Sequence, residues 1–219
     1  MWIVLGIVSA IFLGMYDISR KHALQQNAVL PVLFLGSFTG AVAVLPLLLL
    51  SHYAPETMIK YEFYIPSLSL SGHLNLLAKA AIITLAWLMN FFALRNLPIS
   101  VISPIGAFGP VWTLIGAILL FHENPSYIQF VGIAVIMSSY GWLSFVGRKE
   151  GIVFYKNKWI LFSILATILG AASAMYDKLM IQRWGYSPLA VQVWFTIYLV
   201  PLLGSVLLLA TGTNNPLGP

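Results

Sequence analysis

Apolar residues run in long stretches along this chain, and polar residues gather in the short segments between them. No stretch alternates apolar and polar residues with a period of two, so the pattern does not predict strands. A helix that crosses a membrane needs about 20 mostly apolar residues, and seven stretches approach that length. The predicted spans are residues 2–19, 29–50, 74–94, 99–121, 127–146, 159–180 and 189–210. The pattern therefore predicts an all-α polytopic membrane helix bundle.

The composition supports a membrane protein over every soluble class. Of the 219 residues, 60% are hydrophobic and only 8% are charged, whereas ordinary globular chains carry about 25% charged residues. A soluble enzyme and a disordered chain are thereby excluded. The net charge of +5 comes from basic residues placed between the apolar stretches. That placement is typical of membrane proteins and not of a nucleic-acid-binding patch, so we expect no nucleic-acid partner.

The sequence offers no set of residues that would hold a metal or a cofactor. It contains no cysteine, which excludes disulfides, thiolate nucleophiles and cysteine metal ligands. The histidines lie far apart along the chain, at His22, His52, His73 and His122. Because metal ligands cluster, we expect neither a metal site nor any other cofactor.

A short motif occurs twice at an offset of 160 residues. Met-Tyr-Asp at residues 15–17 recurs at residues 175–177, and these two copies contain both aspartates of the chain. Small residues match at the same offset: Gly6, Ala10 and Gly14 correspond to Ala166, Gly170 and Ala174. Small residues at a spacing of four let membrane helices approach closely. The second copy begins at the sixth span, so the pattern indicates an internal duplication.

The duplication predicts an inverted-topology repeat. Five spans precede the second copy, and because five is odd, span six must cross the membrane in the opposite direction to span one. We therefore expect a first five-helix repeat at residues 1–147 and a linker loop at 148–158. Residues 159–219 would form a partial second repeat with two helices.

Residues 93–141 read ALRNLPISVISPIGAFGPVWTLIGAILLFHENPSYIQFVGIAVIMSSYG. This stretch resembles the EamA-type repeat of the drug/metabolite transporter superfamily. Pro110 matches the proline of the fourth helix, Glu123 the acidic residue after it, and Gln129 with Gly132 the following Q-x-x-G. The resemblance covers one five-helix repeat and the start of a second. It implies a permease of ten helices that moves metabolites by alternating access, often as an exporter.

The chain departs from that family pattern at its end. It stops after the seventh span, whereas the resemblance implies three further helices packed against the first five. Without them the central cavity would open to lipid, and polar groups in hydrocarbon cost several kcal/mol each. We therefore expect a fragment or a truncated product.

The repeated motif supplies the first candidates for substrate or gate residues. Ionisable residues inside a membrane are expensive and commonly functional. Tyr16 with Asp17, and Tyr176 with Asp177, could form two symmetry-related gates or binding sites. Alternatively, the aspartates simply end their helices at the interface. Lys21 follows Asp17 by four residues, so a local ion pair is expected there.

The third and seventh spans supply the other substrate candidates. Lys79 is expected to extend its ammonium group to the interface; the alternative is a cavity lysine that binds an anionic group of the substrate. Trp87 and Asn90 lie deeper in the same span, although an asparagine can also bond one helix to another. Gln192 is a further candidate near the start of the seventh span.

The fourth span supplies hinge candidates. Pro104 and Pro110 lie close to Gly106 and Gly109. A proline removes a backbone donor and bends a helix, which in a transporter can create a hinge or direct carbonyls into a cavity. Simple packing geometry is the alternative. Glu123 follows this span and is expected to cap or pair at the interface rather than to bind substrate.

These patterns favour a secondary transporter of a small organic metabolite, acting as an exporter. We expect the lipid bilayer and a small-molecule substrate as its partners, with protons as a candidate coupling ion through Asp17 or Asp177. The alternative is a non-transporting membrane subunit, completed by a homodimer or by complementary helices. An enzyme is not expected, because no acid, base and metal set can be assembled at one depth. The bacterial cytoplasmic membrane is the expected location.

Overall fold

The computed structural model describes residues 2–147 and 157–212. These residues form α1 (Trp2–Gln26), α2 (Val29–Tyr53), α3 (Pro55–Lys60), α4 (Leu70–Asn96), α5 (Ile99–Gly106), α6 (Gly109–Phe121), α7 (Tyr127–Gly147), α8 (Lys158–Lys178) and α9 (Pro188–Gly212). Helix α8 continues into one π-helical turn, Leu179–Arg183. Most of the predicted linker, residues 148–156, and the end of the predicted second repeat, residues 213–219, lie outside the described residues.

The all-α membrane bundle is confirmed. Helices occupy all seven predicted positions, and five of them are long and apolar enough to cross a membrane. Those five are Val29–Tyr53, Leu70–Asn96, Ile99–Phe121, Lys158–Arg183 and Pro188–Thr211. Helices α1 and α7 occupy the first and fifth predicted positions.

The long loop predicted between the second and third spans is more ordered than expected. It contains the short helix α3, and α4 begins at Leu70 rather than at residue 74. The reason is a cap, because the Ser69 hydroxyl accepts a hydrogen bond from the backbone N–H of Gly72 at 3.2 Å. His73, which the sequence placed at the end of a loop, therefore lies inside α4.

The fourth predicted span is interrupted, and α5 and α6 form its two parts. Ala107 and Phe108 lie between them. Pro110 has no N–H, and its ring clashes with the carbonyl four residues earlier, which belongs to Gly106. Gly106 and Gly109 add backbone freedom on both sides of the interruption. The break thus coincides with three of the four predicted hinge residues.

Helix α4 is the centre of the bundle. It packs most extensively against α8 and also contacts α9, α2, α1 and α5. The core around it contains buried side chains such as Phe91 of α4, Leu33 of α2 and Leu199 of α9. Helix α1 lies at the periphery, where every side chain from residue 4 to residue 16 is exposed. In a bilayer these apolar side chains contact lipid.

The side-chain contacts along α4 fix the directions of the outer helices. The C-terminal part of α1 lies beside the C-terminal part of α4, where Lys21 Nζ donates to the Leu97 carbonyl at 2.8 Å. In α8 it is the N-terminal Trp159 that stacks near that end of α4, on Phe92 at 6.4 Å between ring centroids. Helices α1 and α8 therefore run in opposite directions, as an inverted repeat requires.

Candidate functional site

A buried ion pair joins α4 to α8. The Lys79 side chain is only 5% exposed, and its Nζ lies 2.5 Å from Asp177 Oδ1. The same Nζ lies 4.3 Å from the ring centroid of Phe195 in α9. The expectation that Lys79 extends to the interface is wrong. Asp177 has no basic residue three or four positions away along its helix, so its counter-charge could not be found from local spacing.

The N-terminal part of α4 carries a polar and aromatic cluster that the sequence did not reveal. Asn75 donates to the Tyr186 hydroxyl at 3.1 Å and accepts from the Tyr176 hydroxyl at 3.5 Å. His73 Nδ1 and the Tyr198 hydroxyl share a hydrogen bond of 2.8 Å. These pairs are more than 100 residues apart in sequence, so no motif could predict them. Their effect is to tie α4 to α8, to α9 and to the connection between those helices.

The other aspartate pairs within its own helix. Arg20 Nη2 donates to Asp17 Oδ1 at 2.9 Å. The predicted pair between Asp17 and Lys21 is therefore wrong. Lys21 instead donates to the backbone carbonyls of Leu94 and Leu97 at the end of α4. Those carbonyls need donors because a helix end leaves its last carbonyls unpaired.

The two aspartates lie near opposite ends of α4. Asp177 contacts Lys79, whereas the guanidinium of Arg20, the partner of Asp17, lies 4.8 Å from the ring centroid of Phe91. Lys79 precedes Phe91 by twelve residues, which corresponds to about 18 Å along a helix. The repeated motif therefore does not form one joint site.

Two adjoining grooves lie on one face of α4. The first, which we call the Asn90 groove, has a volume of about 480 Å³ and lies between α4, the broken α5–α6 span and α8. Its lining brings together predicted substrate and hinge residues, namely Trp87, Asn90, Gly106, Gly109 and Pro110. Thr113 and Thr167 add hydroxyl groups to the same lining. Pro104 is buried in α5 and is not part of this lining.

The second groove, which we call the Arg20 groove, has a volume of about 460 Å³ and lies between α1, α2, α4 and α9. Tyr16, Trp87 and Gln192 line it, together with Arg20 and Ser37. Trp87 lines both grooves, so they adjoin at this side chain, and we call the two together the central groove. Trp87 also contacts Phe195 edge to face, at 6.2 Å between ring centroids.

The central groove reaches the middle of the membrane-spanning helices. Thr167 lies nine residues after the start of α8, about 14 Å along its axis. Lys79, Tyr176 and Asp177 do not line either groove among the described residues. The predicted site residues therefore fall into two groups, one around Trp87 and one around the buried ion pair.

Comparison with known proteins agrees with this architecture. A sequence model of the EamA-like transporter family matches residues 1–145. The chain belongs to the EamA-like transporter family. No curated protein and no solved structure gives a significant match. The match begins at the first residue and ends within the last turn of α7. The chain is thus a membrane protein of a transporter family.

Glu123, which belongs to the EamA-type pattern, lies outside the central groove and contacts the end of α8. Glu123, between α6 and α7, forms an ion pair with Lys178 at the end of α8. Lys178 and Arg183 also lie over the ring of Phe121, at 4.9 and 5.3 Å from its centroid. This cluster borders a third, mostly apolar groove of about 530 Å³, to which Tyr176 contributes. Glu123 therefore links the end of α6 to the end of α8.

Gln129 and Gly132 lie in the first turns of α7. The Gln129 side-chain oxygen accepts from the backbone N–H of Ser126 at 2.7 Å, and the Ser126 hydroxyl accepts from the backbone N–H of Gln129 at 3.4 Å. This reciprocal arrangement is a capping box that starts the helix. A Cβ at Gly132 would meet nothing within 4 Å. Among the described residues, no three His, Asp or Glu side chains lie close enough to hold a metal ion.

Proposed function

We propose that this EamA-like chain acts in secondary transport and exports a small organic metabolite by alternating access, in the bacterial cytoplasmic membrane. The observation that carries this proposal is the central groove, which holds polar side chains at membrane depth. In this proposal the chain carries out no enzymatic reaction of its own, and the groove binds the transported compound.

The polar lining supports a binding role. Asn90 lines the groove inside its span, where a polar group in contact with hydrocarbon would cost several kcal/mol. Such groups are tolerated when they face water or a ligand. Trp87 at the centre offers a large aromatic face to an apolar or planar compound. The groove therefore suits a small molecule with an apolar body and a few polar groups.

The broken span gives the site a means to change shape. Gly106, Gly109 and Pro110 form part of the groove lining as well as the interruption between α5 and α6. A change of angle at this interruption would move one wall of the groove relative to α4. Because α1 and α8 run in opposite directions, an equivalent movement in the other repeat would act on the other side of the membrane.

The absence of cysteine from the sequence permits a direct test by cysteine labelling. Thr167 lines the Asn90 groove, whereas Ile164, one turn earlier in α8, is exposed and lines neither half of the central groove. A thiol reacts as its thiolate, which requires water. In vesicles, we expect a membrane-impermeant methanethiosulfonate reagent to modify Thr167→Cys roughly tenfold faster or more than Ile164→Cys. Equal slow rates would show that the groove holds no water and would contradict the proposal.

Transport itself is tested with Trp87→Ala. Cells that express the full chain are compared with cells that express the variant, and efflux of labelled metabolites is followed by mass spectrometry. We expect at least one compound to be exported by the wild-type chain and to be retained by the variant. Leu161→Ala, on the exposed face of α8, is the control and should export normally. Identical export profiles with and without Trp87 would exclude the groove as the route.

A further inference from the structure

We propose that the transported compound carries an acidic group, which binds as an anion beside Arg20 in the central groove. This inference rests on the proposed transport function and names its substrate class. It concerns the end of the groove between α1, α2 and α9, where Arg20 is held in place without using all of its donors.

Packing fixes the Arg20 side chain. It is only 13% exposed, and its guanidinium carbon lies 4.8 Å from the ring centroid of Phe91 and 5.3 Å from that of Tyr16. Nη2 donates to Asp17, whereas Nε is enclosed by protein and has no hydrogen-bond partner among the residues that the structure describes. A guanidinium group has five N–H donors, so its Nη groups can serve a second acceptor without displacing Asp17.

The charge of the lining favours an anion over a cation. Among the described residues that line either half of the central groove, Arg20 is the only one that carries a full charge. Asp17 is not part of the lining, and its side chain is 49% exposed. Its carboxylate therefore lies outside the groove lining, to which the Arg20 side chain belongs. A cation in the groove would meet a like charge and no carboxylate.

The other residues around Arg20 indicate which chemical groups the rest of the ligand carries. Ser37 of α2 lines the groove and is 7% exposed, and its hydroxyl has no partner within the described part of the chain. Gln192 and Thr196 of α9 line the same side. Trp87 and Phe91 supply aromatic surface next to these polar groups. The combination suits a small acid with a planar or aromatic body.

The test compares three labelled probes that share one ring and differ in charge. Indole-3-acetate is anionic, indole-3-acetamide is neutral and tryptamine is cationic at pH 7. Binding to the full chain in nanodiscs is measured by equilibrium dialysis. We expect the acid to bind at least tenfold more tightly than the amine. Arg20→Gln should weaken acid binding roughly tenfold to a hundredfold, the usual range for a charge-assisted hydrogen bond, and should change amide binding less than about twofold.

Matched variants separate the roles of charge and packing. Arg95→Gln removes the same charge from an exposed arginine at the end of α4, and it should leave all three affinities unchanged. Arg20→Lys should restore part of the preference for the acid. Asp17→Asn removes the competing carboxylate and should strengthen acid binding. Retained amide binding by Arg20→Gln shows that this variant is folded.

The outcomes distinguish this inference from the transport proposal. If the amide binds but the acid has no advantage, the acidic substrate class is wrong. If Arg20→Gln leaves that advantage intact, the anion does not bind beside Arg20 and the inference is overturned. In both cases the groove proposal remains. If the amine binds best, the charge argument is overturned. If none of the probes binds although Thr167→Cys reacts with the water-soluble reagent, planar acids are excluded as the ligand class.

Discussion

At the scale of single residues, the Lys79–Asp177 pair is the most consequential contact. The Lys79 side chain is almost fully buried, whereas the Asp177 side chain remains 34% exposed. The Lys79 ammonium therefore depends more on its partner than the Asp177 carboxylate does. When one member of a buried ion pair is removed, the remaining charge is left without compensation. Asp177→Asn removes the negative charge that compensates the buried Lys79 ammonium group, which keeps the Phe195 ring as a neighbour. We expect this variant to lose about 2–3 kcal/mol of stability in detergent unfolding experiments, below the full cost because Asp177 is partly exposed.

The repeat provides the matched control for this prediction. Asp17→Asn removes the equivalent carboxylate from α1, but its side chain is half exposed and the change should cost less than about 1 kcal/mol. Adding Lys79→Met to Asp177→Asn also removes the uncompensated positive charge, and the double variant should recover most of the lost stability. Equal small losses for both asparagine variants, or no recovery in the double variant, would contradict a structural ion pair.

Residue-scale contacts were the least predictable part of the molecule from sequence. The duplicated motif directed attention to Asp17 and Asp177 because both copies were visible in the sequence. Their partners were not visible. Lys79 precedes Asp177 by 98 residues, and helical spacing from Asp17 does not distinguish Arg20 from Lys21. Pairing depends on which helices pack together, and local spacing holds no such information.

At the scale of elements, prolines alone do not explain where helices break. Pro46 lies inside α2 and Pro201 inside α9, and both helices are continuous. Among the spans that the structure describes, the interrupted one has glycines on both sides of the break, at residues 106–110. Gly106 has no atom within 4 Å of an added Cβ, and at Gly109 the nearest is Thr167 Cγ2 at 3.9 Å. Alanine at both positions is therefore tolerated sterically.

The double variant Gly106→Ala and Gly109→Ala tests the role of this break. Neither glycine has a positive φ, so alanine should favour the existing helical conformation by about 0.5–1 kcal/mol at each site. We expect a higher thermal unfolding midpoint, slower amide hydrogen exchange at residues 106–109 and slower transport. Gly132→Ala in α7 is the control, which should leave transport unchanged. A double variant with normal transport would show that flexibility at the break is not required.

A second element-scale prediction concerns the contact between α6 and α8. An added Cβ at Gly116 would lie 3.1 Å from both Cγ and Sδ of Met175. Methionine is flexible, so Gly116→Ala should cost less than about 1 kcal/mol. Gly116→Leu should cost about 1–3 kcal/mol because it overfills the contact. Unfolding in the same detergent measures both, with Gly132→Leu as a neutral control because Gly132 has open space around it.

At the scale of the whole molecule, the sequence predicted the bundle well because span length and composition follow directly from the membrane. All seven helical positions were found, and the parity of five spans before the repeat matched the opposite directions of α1 and α8. The central groove could be predicted only in part. Trp87, Asn90 and the hinge glycines were named from their depth and type, whereas Arg20 and Ser37 became visible only when α1, α2 and α9 were packed together.

The opposite directions of α1 and α8 lead to a prediction that separates alternating access from a pore. In alternating access the groove opens to one side at a time, so a change that favours one state reduces the other. Labelling of Thr167→Cys is measured from each side, in right-side-out and in inside-out vesicles, with and without the Gly106→Ala and Gly109→Ala substitutions. We expect the labelling rate to rise from one side and to fall from the other when the break is stiffened. A pore through the same groove is open to both sides at once, so its two rates would rise or fall together. Opposite changes require two exclusive states, for which an inverted repeat would supply the structural basis.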